Sequence, residues 1–153
     1  MNIFATWIAA IALLLTLALP AAAQGDGLGP ADGFHHLALQ ISDGDPGKMT
    51  EILDVAANVS RYYSGIGEEI EIRVIVFAAG INMLREDRSP VRDRLKSFSA
   101  SMPNVTFVAC QNTIDTVEKR EGPIPIVATA ERVQAGVVEL ITLHEQGWTI
   151  VRP

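Results

Sequence analysis

The sequence contains a single cysteine, Cys110, among its 153 residues. One cysteine cannot close a disulfide within its own chain, so this residue is free, paired with another molecule or used as a ligand. Common catalytic signatures are also missing, since no Walker loop, no G-x-G-x-x-G and no G-x-S-x-G motif occurs. The sequence therefore carries no signature of a nucleotide-dependent enzyme or a serine hydrolase, and it indicates no cofactor.

Positive charge is sparse and scattered. Twelve Lys and Arg are outnumbered by eighteen Asp and Glu, which gives a net charge of −6. The densest basic stretch, residues 85–96, is interleaved with acidic residues. A nucleic-acid-binding surface needs clustered cations, so no nucleic-acid partner is predicted.

The first 23 residues contain no charged side chain. Residues 3–19 are almost wholly apolar, Pro20 follows, and three alanines at 21–23 offer a cleavage site. This pattern is typical of a secretory signal peptide, although residues 1–2 lack Lys and Arg. An uncleaved anchor is the alternative, because about seventeen apolar residues lie at the lower edge of spanning length. Either way we expect an exported protein, in the periplasm or elsewhere, with no stable membrane insertion after cleavage.

The rest of the chain divides into a short leader and one domain. Residues 24–33 are rich in Gly, Asp and Pro, which predicts a flexible leader. Residues 34–153 suffice for one hydrophobic core but not two.

Within this domain, short apolar runs alternate with helical periods. Strands are predicted at 35–41, 70–77, 105–109 and 148–151, with a weaker one between 126 and 133. Four helices are predicted between them: one capped by Asp45 and ending near residues 64–65, one starting at Ser89-Pro90, one ended by Gly122, and one over 136–146. The last helix is expected to present Val137, Leu140, Ile141 and His144 on one side. The alternation predicts an α/β fold with three layers, α/β/α, and a mostly parallel five-stranded sheet.

Functional groups in such folds collect at the carboxyl ends of the strands. Three segments meet that description, residues 42–45, the loop of residues 80–83, and residues 110–113. Cys110 stands out because a helix is predicted to begin about three residues after it, and amide N–H groups and the helix dipole would favour its thiolate. The alternative is that Cys110 is a small buried hydrophobe. Asp43 and Asp45 are interpreted as turn and cap residues.

The histidines indicate no metal site. His35 and His36 are adjacent in a predicted strand and therefore point to opposite faces. A copper or zinc site built from Cys110 and one histidine lacks the ligand set of a closed metal centre. His144 is interpreted as a packed or interface residue.

Residues 107–113, Phe-Val-Ala-Cys-Gln-Asn-Thr, resemble the F-x-A-C-x-N-T segment of DsrE/DsrF-like proteins, in particular an exported branch of that family. Further similarity lies at Asn58, at residues 80–84, at residues 135–140 and at the closing residues 146–153, so it covers nearly the whole domain. The resemblance implies a three-layer α/β/α fold, association into trimers or hexamers and a link to sulfur metabolism. Some members carry persulfide sulfur on the cysteine equivalent to Cys110. These sulfur-relay members are cytoplasmic and have another sequence context around the cysteine.

Three functional hypotheses follow. In the first, Cys110 accepts, carries or binds sulfur species, possible partners being a sulfur donor or acceptor protein. Gln111, Asn112 and Thr113 surround the thiol in this hypothesis, while Gly80 and Asn82 line the same pocket. In the second, the chain is a non-catalytic oligomeric module that binds a small ligand or metal. In the third, it is an assembly subunit with a buried Cys110.

Overall fold

A computed structural model describes residues 33–153 of the chain. The predicted signal peptide and all but the last residue of the predicted leader lie outside the described residues, so both stay predictions. Among residues 33–153, no helix is long and apolar enough to cross a membrane.

Strands and helices alternate along the described chain. In order they are β1 (Phe34–Ile41), α1 (Pro46–Ile66), β2 (Glu69–Val76), a 3₁₀ helix (Ala78–Leu84), α2 (Arg92–Ser101), β3 (Val105–Cys110), α3 (Gln111–Glu121), β4 (Glu131–Val133), α4 (Gly136–Glu145) and β5 (Thr149–Val151).

The five strands form one sheet in the order β4-β3-β2-β1-β5, and every neighbouring pair is parallel. Helices α1, α2 and α3 share one hydrophobic core with one face of this sheet. Helix α4 packs on the other face through Leu140 and Leu143, against Ala38, Ile75 and Val108. The predicted three-layer α/β/α fold with its five-stranded sheet is confirmed.

Burial on both faces explains the apolar run in β2. Ile72 and Val74 belong to the core beneath the three helices, whereas Ile75 belongs to the core beneath α4. All three side chains are fully buried. A strand covered on both sides has no polar face, which is why the alternation at its start gives way to continuous apolar residues.

The boundaries of α1 follow local chemistry. The Asp45 carboxylate accepts a hydrogen bond from the Lys48 N–H at 3.0 Å, and Pro46 occupies the first turn. At the other end Gly67 adopts a left-handed conformation, with φ of 76°, and ends the helix one to two residues later than predicted.

Three of the predicted local structures are wrong. Helix α2 begins at Arg92 and not at Pro90, and Val91 stands at its N-cap. Residues 80–83 lie in a 3₁₀ helix and not in a loop. Helix α3 begins at Gln111, directly after Cys110 and not three residues later.

The predicted side of α4 is also wrong. The helix buries Leu140 and Leu143, while Val137, Ile141 and His144 are exposed. Val137, Val138 and Ile141 on the outer side are as apolar as Leu140 and Leu143 on the inner side, so the periodicity did not distinguish the two sides.

The strand ends bring the three predicted edge segments together. Ile41 is in register with Val76, and Val76 with Ala109, so β1, β2 and β3 end at the same level. The Gly80 N–H donates to the Ser42 carbonyl oxygen at 3.1 Å. The 3₁₀ helix thus packs directly on the end of β1.

Gly80→Ala is expected to lower the free energy of unfolding by about 2 kcal/mol. A Cβ atom on residue 80 would lie 2.6 Å from the Ile41 carbonyl oxygen. That oxygen belongs to the backbone of a strand and cannot move aside easily. Gly65→Ala is the matched control, since a Cβ there meets nothing within 4 Å. Urea denaturation measures the free energy of unfolding of both variants. Equal effects of the two substitutions would show that the close approach of residue 80 to Ile41 is unimportant.

Candidate functional site

Cys110 lies where β3 passes into α3. It is the last residue of the strand and the N-cap of the helix, with extended backbone angles. Its side chain is buried, with 5% of the residue exposed. Cys110 is therefore held between two regular elements and not on a free loop.

Several hydrogen-bonding groups lower the pKa of Cys110. They are the Thr113 hydroxyl and the backbone N–H groups of Gly136, Thr113 and Asn112, of which the Asn112 N–H also donates to the Gln134 carbonyl oxygen. Burial is the largest single influence on the pKa of Cys110 and raises it, because it disfavours the charged thiolate. The hydrogen-bonding groups together outweigh burial, so the pKa of Cys110 lies below its ordinary value.

The backbone donors come from the first turns of two helices. Asn112 and Thr113 are the second and third residues of α3, and Gly136 is the first residue of α4. The positive ends of both helix dipoles consequently point towards the sulfur. Two helix starts at one thiol favour negative charge more than the single helix predicted from the sequence.

Thr113 connects the thiol to the end of β2. Its Oγ1 accepts a hydrogen bond from the Ala78 N–H at 3.1 Å. Because the oxygen accepts there, the hydroxyl hydrogen is free to point at the Cys110 sulfur. Ala78 adopts a φ of 50°, an unfavourable left-handed conformation for alanine. This strained residue aims the N–H that orients Thr113.

The segment before α4 is tied to the start of α3. The Asn112 N–H donates to the Gln134 carbonyl oxygen at 3.1 Å, and the Gln134 side-chain amide donates to Asn112 Oδ1 at 2.7 Å. The Cys110 thiol also lies 3.9 Å from the Gln134 carbonyl oxygen, a long contact that it would donate as a neutral thiol. These contacts fix the distance between the two helix starts.

Gly136 permits the close approach of α4. A Cβ on this residue would lie 3.3 Å from the Cys110 Cβ and 3.2 Å from the Phe77 ring. A larger residue would push the start of α4, and its N–H donor, away from the sulfur.

The structure brings together only some of the predicted site residues. Asn82, Asn112 and Thr113 line a pocket of about 540 Å³ between the 3₁₀ helix and α3. Gly80 is buried and does not line the pocket, and the Gln111 side chain donates instead to Asp115 at 2.7 Å. Cys110 does not line this pocket, so Thr113 is its link to it.

The sequence analysis missed Phe77, Ala78 and Gln134 as parts of the thiol environment. Gly136 was the one distant neighbour of the thiol that the sequence marked, because it falls within residues 135–140, which resemble DsrE/DsrF-like proteins. The contacts of Ala78 and Gln134 depend on the parallel register, which brings residues 35 and 24 positions apart together and leaves no local pattern. Phe77 lies beside Gly136, which is even more distant in the chain.

The histidines lie away from the thiol. His35 and His36 are at the amino end of β1, whereas Cys110 is at the carboxyl edge of the sheet. His35 hydrogen-bonds Glu68 at 2.6 Å, and His144 is exposed on α4. Within residues 33–153, no group of three or more His, Cys, Asp or Glu could hold a metal ion.

A solved protein from Methanobacterium thermoautotrophicum, MTH1491, described as a protein of unknown function, has a similar fold. Its TM-score to this chain is 0.66 at 21% sequence identity, covering 78% of this chain and 99% of that one. No protein-family model matches the sequence, and no curated protein matches it. At this identity the likeness shows the α/β fold alone.

Proposed function

We propose that this chain accepts and carries sulfane sulfur on Cys110. The observation that carries the proposal is the placement of one buried sulfur at the starts of both α3 and α4, beside Thr113, where these groups lower the pKa of Cys110 against the opposing effect of burial. A thiolate is the form of cysteine that attacks sulfur, and a purely structural cysteine needs no such donors.

The proposed step is a sulfur exchange. The Cys110 thiolate attacks the outer sulfur of a persulfide R–S–SH, a new Sγ–S bond forms, and the S–S bond of the donor breaks. The donor leaves as the thiolate R–S⁻ with the electron pair, and Cys110 becomes Cys–S–SH. Charge is conserved and no oxidant is needed. On losing its proton, the new persulfide sulfur would carry negative charge close to the same helix starts.

Burial restricts the donor. With 5% of Cys110 exposed, a bulky protein disulfide cannot reach Sγ without movement of the surrounding segments. A small sulfur species, inorganic or carried on a small thiol, fits the site better.

The resemblance to DsrE/DsrF-like proteins supports this reading, since it is carried by the residues around Cys110 and by the closing segment. On the same basis we propose that the chain is an exported member of that family, that it forms a trimer or hexamer, and that a donor or acceptor protein exchanges sulfur with Cys110 after movement of the surrounding segments.

The test is intact-mass measurement after incubation with a small persulfide. Wild-type protein should gain about 32 Da, the mass of one sulfur, and lose it on treatment with dithiothreitol. Cys110→Ser should gain nothing while keeping its fold and assembly, because the two side chains are close in size. A mass gain that persists in the Ser variant, or none in wild type, would refute the proposal.

A non-catalytic binding module is the second candidate. The observation in its favour is the pocket of Asn82, Asn112 and Thr113, which also contains Arg120 and excludes Cys110. If the chain only binds a ligand there, Cys110→Ser would leave binding unchanged and the wild-type thiol would react slowly with alkylating agents.

A further inference from the structure

Helix α4 carries an exposed apolar strip, formed by Val137, Val138 and Ile141 and called the α4 ridge below. These residues are 52%, 60% and 53% exposed. The inner side of the same helix is apolar too, through Leu140 and Leu143. A contiguous exposed apolar strip of this kind marks an interaction surface, so the ridge is expected to be covered by a partner.

A concave apolar surface lies on the opposite face of the sheet. There α1, α2 and α3 share a core with the residues of β1, β2 and β3, and no β5 residue belongs to that core. The space between α1 and β5 is a groove of about 890 Å³, called the α1–β5 groove below. Its walls and floor include Leu37, Leu39, Val55, Val59, Tyr62 and Val151.

The residues at the groove follow a helical repeat of their own. Val55, Val59 and Tyr62 line the groove and recur at three- and four-residue steps along α1, and Ile66 continues the same series beyond the groove. Tyr62 is 63% exposed and Ile66 is 52% exposed. This second stripe has the spacing that packs against another helix.

We propose that the α4 ridge of one copy seats in the α1–β5 groove of a second copy. The proposal rests on the homo-oligomer proposed above and names its surfaces. A convex helix strip meets a groove that is bordered by a helix on one side, and both surfaces are largely apolar.

Charge is complementary at the rims. Glu145 continues the ridge one turn beyond Ile141 and makes no ion pair with any residue of the described chain. Arg61 lies next to the groove residue Asn58, to whose side chain it donates at 2.9 Å, and it too lacks an acidic partner among residues 33–153. Placing the ridge in the groove would bring the unpaired Glu145 carboxylate towards the unpaired Arg61 guanidinium.

This contact joins two different surfaces, so each copy offers one ridge and one groove. Such head-to-tail contacts generate a closed ring when the rotation between copies closes, and a filament when it does not. The ridge starts directly after Gly136, whose N–H donates to Cys110. Every contact would therefore border one thiol.

Two single substitutions separate this arrangement from all others. Ile141→Glu places a charge on the ridge and Tyr62→Glu places one in the groove, both at exposed positions where the fold should survive, as circular dichroism would verify. Each variant alone should lose the assembled state and have the mass of one chain by light scattering. Mixed in equal amounts, they should form a 1:1 heterodimer and nothing larger, because one intact ridge and one intact groove remain. Ala100→Glu, exposed on α2, should assemble like wild type.

The outcomes are distinguishable. A wild-type protein of single-chain mass would refute the proposed oligomer itself. An oligomeric wild type whose Tyr62→Glu variant still assembles would overturn the groove assignment and leave the groove to another occupant. Two monomeric variants that fail to combine would overturn the head-to-tail pairing and indicate a contact between like surfaces.

Discussion

Thr113→Val is expected to raise the pKa of Cys110 towards its ordinary value, because the thiolate loses a hydrogen bond that stabilises its negative charge. The substitution removes the hydroxyl that donates to the sulfur and keeps the size of the side chain. The Ala78 N–H loses its acceptor as well, but Ala78 is exposed and water can replace the hydroxyl.

The measurement is the rate of alkylation of Cys110 by iodoacetamide as a function of pH. The midpoint of the wild-type profile should lie below the reference value for free cysteine, about 8.5, and that of Thr113→Val above the wild-type midpoint. Thr113→Ser is the matched control, because it retains the hydroxyl. If the Val and Ser variants share one midpoint, the hydroxyl does not stabilise the thiolate.

Arg85→Met is expected to lower the free energy of unfolding by about 2 kcal/mol. Arg85 is 2% exposed, and its guanidinium donates to both carboxylate oxygens of Asp87 at 2.9 and 2.7 Å. It also donates to Glu121 at 2.8 Å. One buried cation thus links the segment after the 3₁₀ helix to the end of α3.

Arg88→Met is the matched control for this substitution. Arg88 contacts the same two carboxylates, at 3.6 and 3.0 Å, but its side chain is 49% exposed. Exposed ion pairs contribute little, so we expect a loss of about 0.5 kcal/mol or less. Chemical denaturation of both variants should separate them, and similar losses would contradict the role assigned to the buried guanidinium.

The same cluster predicts an acid dependence. The hydrogen bonds that Arg85 donates to the two carboxylates lower the pKa of Asp87 and the pKa of Glu121 below their ordinary values. A carboxyl group whose pKa is lower in the folded than in the unfolded protein stabilises the fold at pH values above its unfolded-state pKa, about 4. That contribution is lost as the pH falls through the folded-state pKa. Thermal denaturation of wild type should therefore show a steeper loss of stability below about pH 4 than that of Arg85→Met. Parallel profiles would indicate that the two carboxylates are not coupled to Arg85.

The fold followed from the sequence wherever local chemistry decides the structure. Asp45 and Pro46 predicted the start of α1, and the continuous apolar run in β2 predicted a strand covered on both faces. The start of α3 gave no such signal, because Cys110 caps it without a side-chain hydrogen bond. The buried side of α4 could not be predicted either, since three of its outer residues, Val137, Val138 and Ile141, are as apolar as its inner ones.

The candidate site was predictable only in its centre. A lone cysteine at a strand end, followed by polar residues, identified Cys110 and Thr113. The donor from Gly136 and the Ala78 contact to Thr113 come from segments more than twenty residues away in the chain. Only the packing of α4 and the end of β2 against β3 brings them to the sulfur.

The most direct test of a sulfur-carrying Cys110 is its chemical state in protein isolated, without reductant, from the cells that make it. Intact-mass measurement should show a fraction of the chains heavier by about 32 Da, one sulfur atom, and dithiothreitol should remove that mass. The Cys110→Ser chain, isolated in the same way, should lack it. An unmodified Cys110 that also resists alkylation in the folded protein would contradict the account and identify the residue as part of the core.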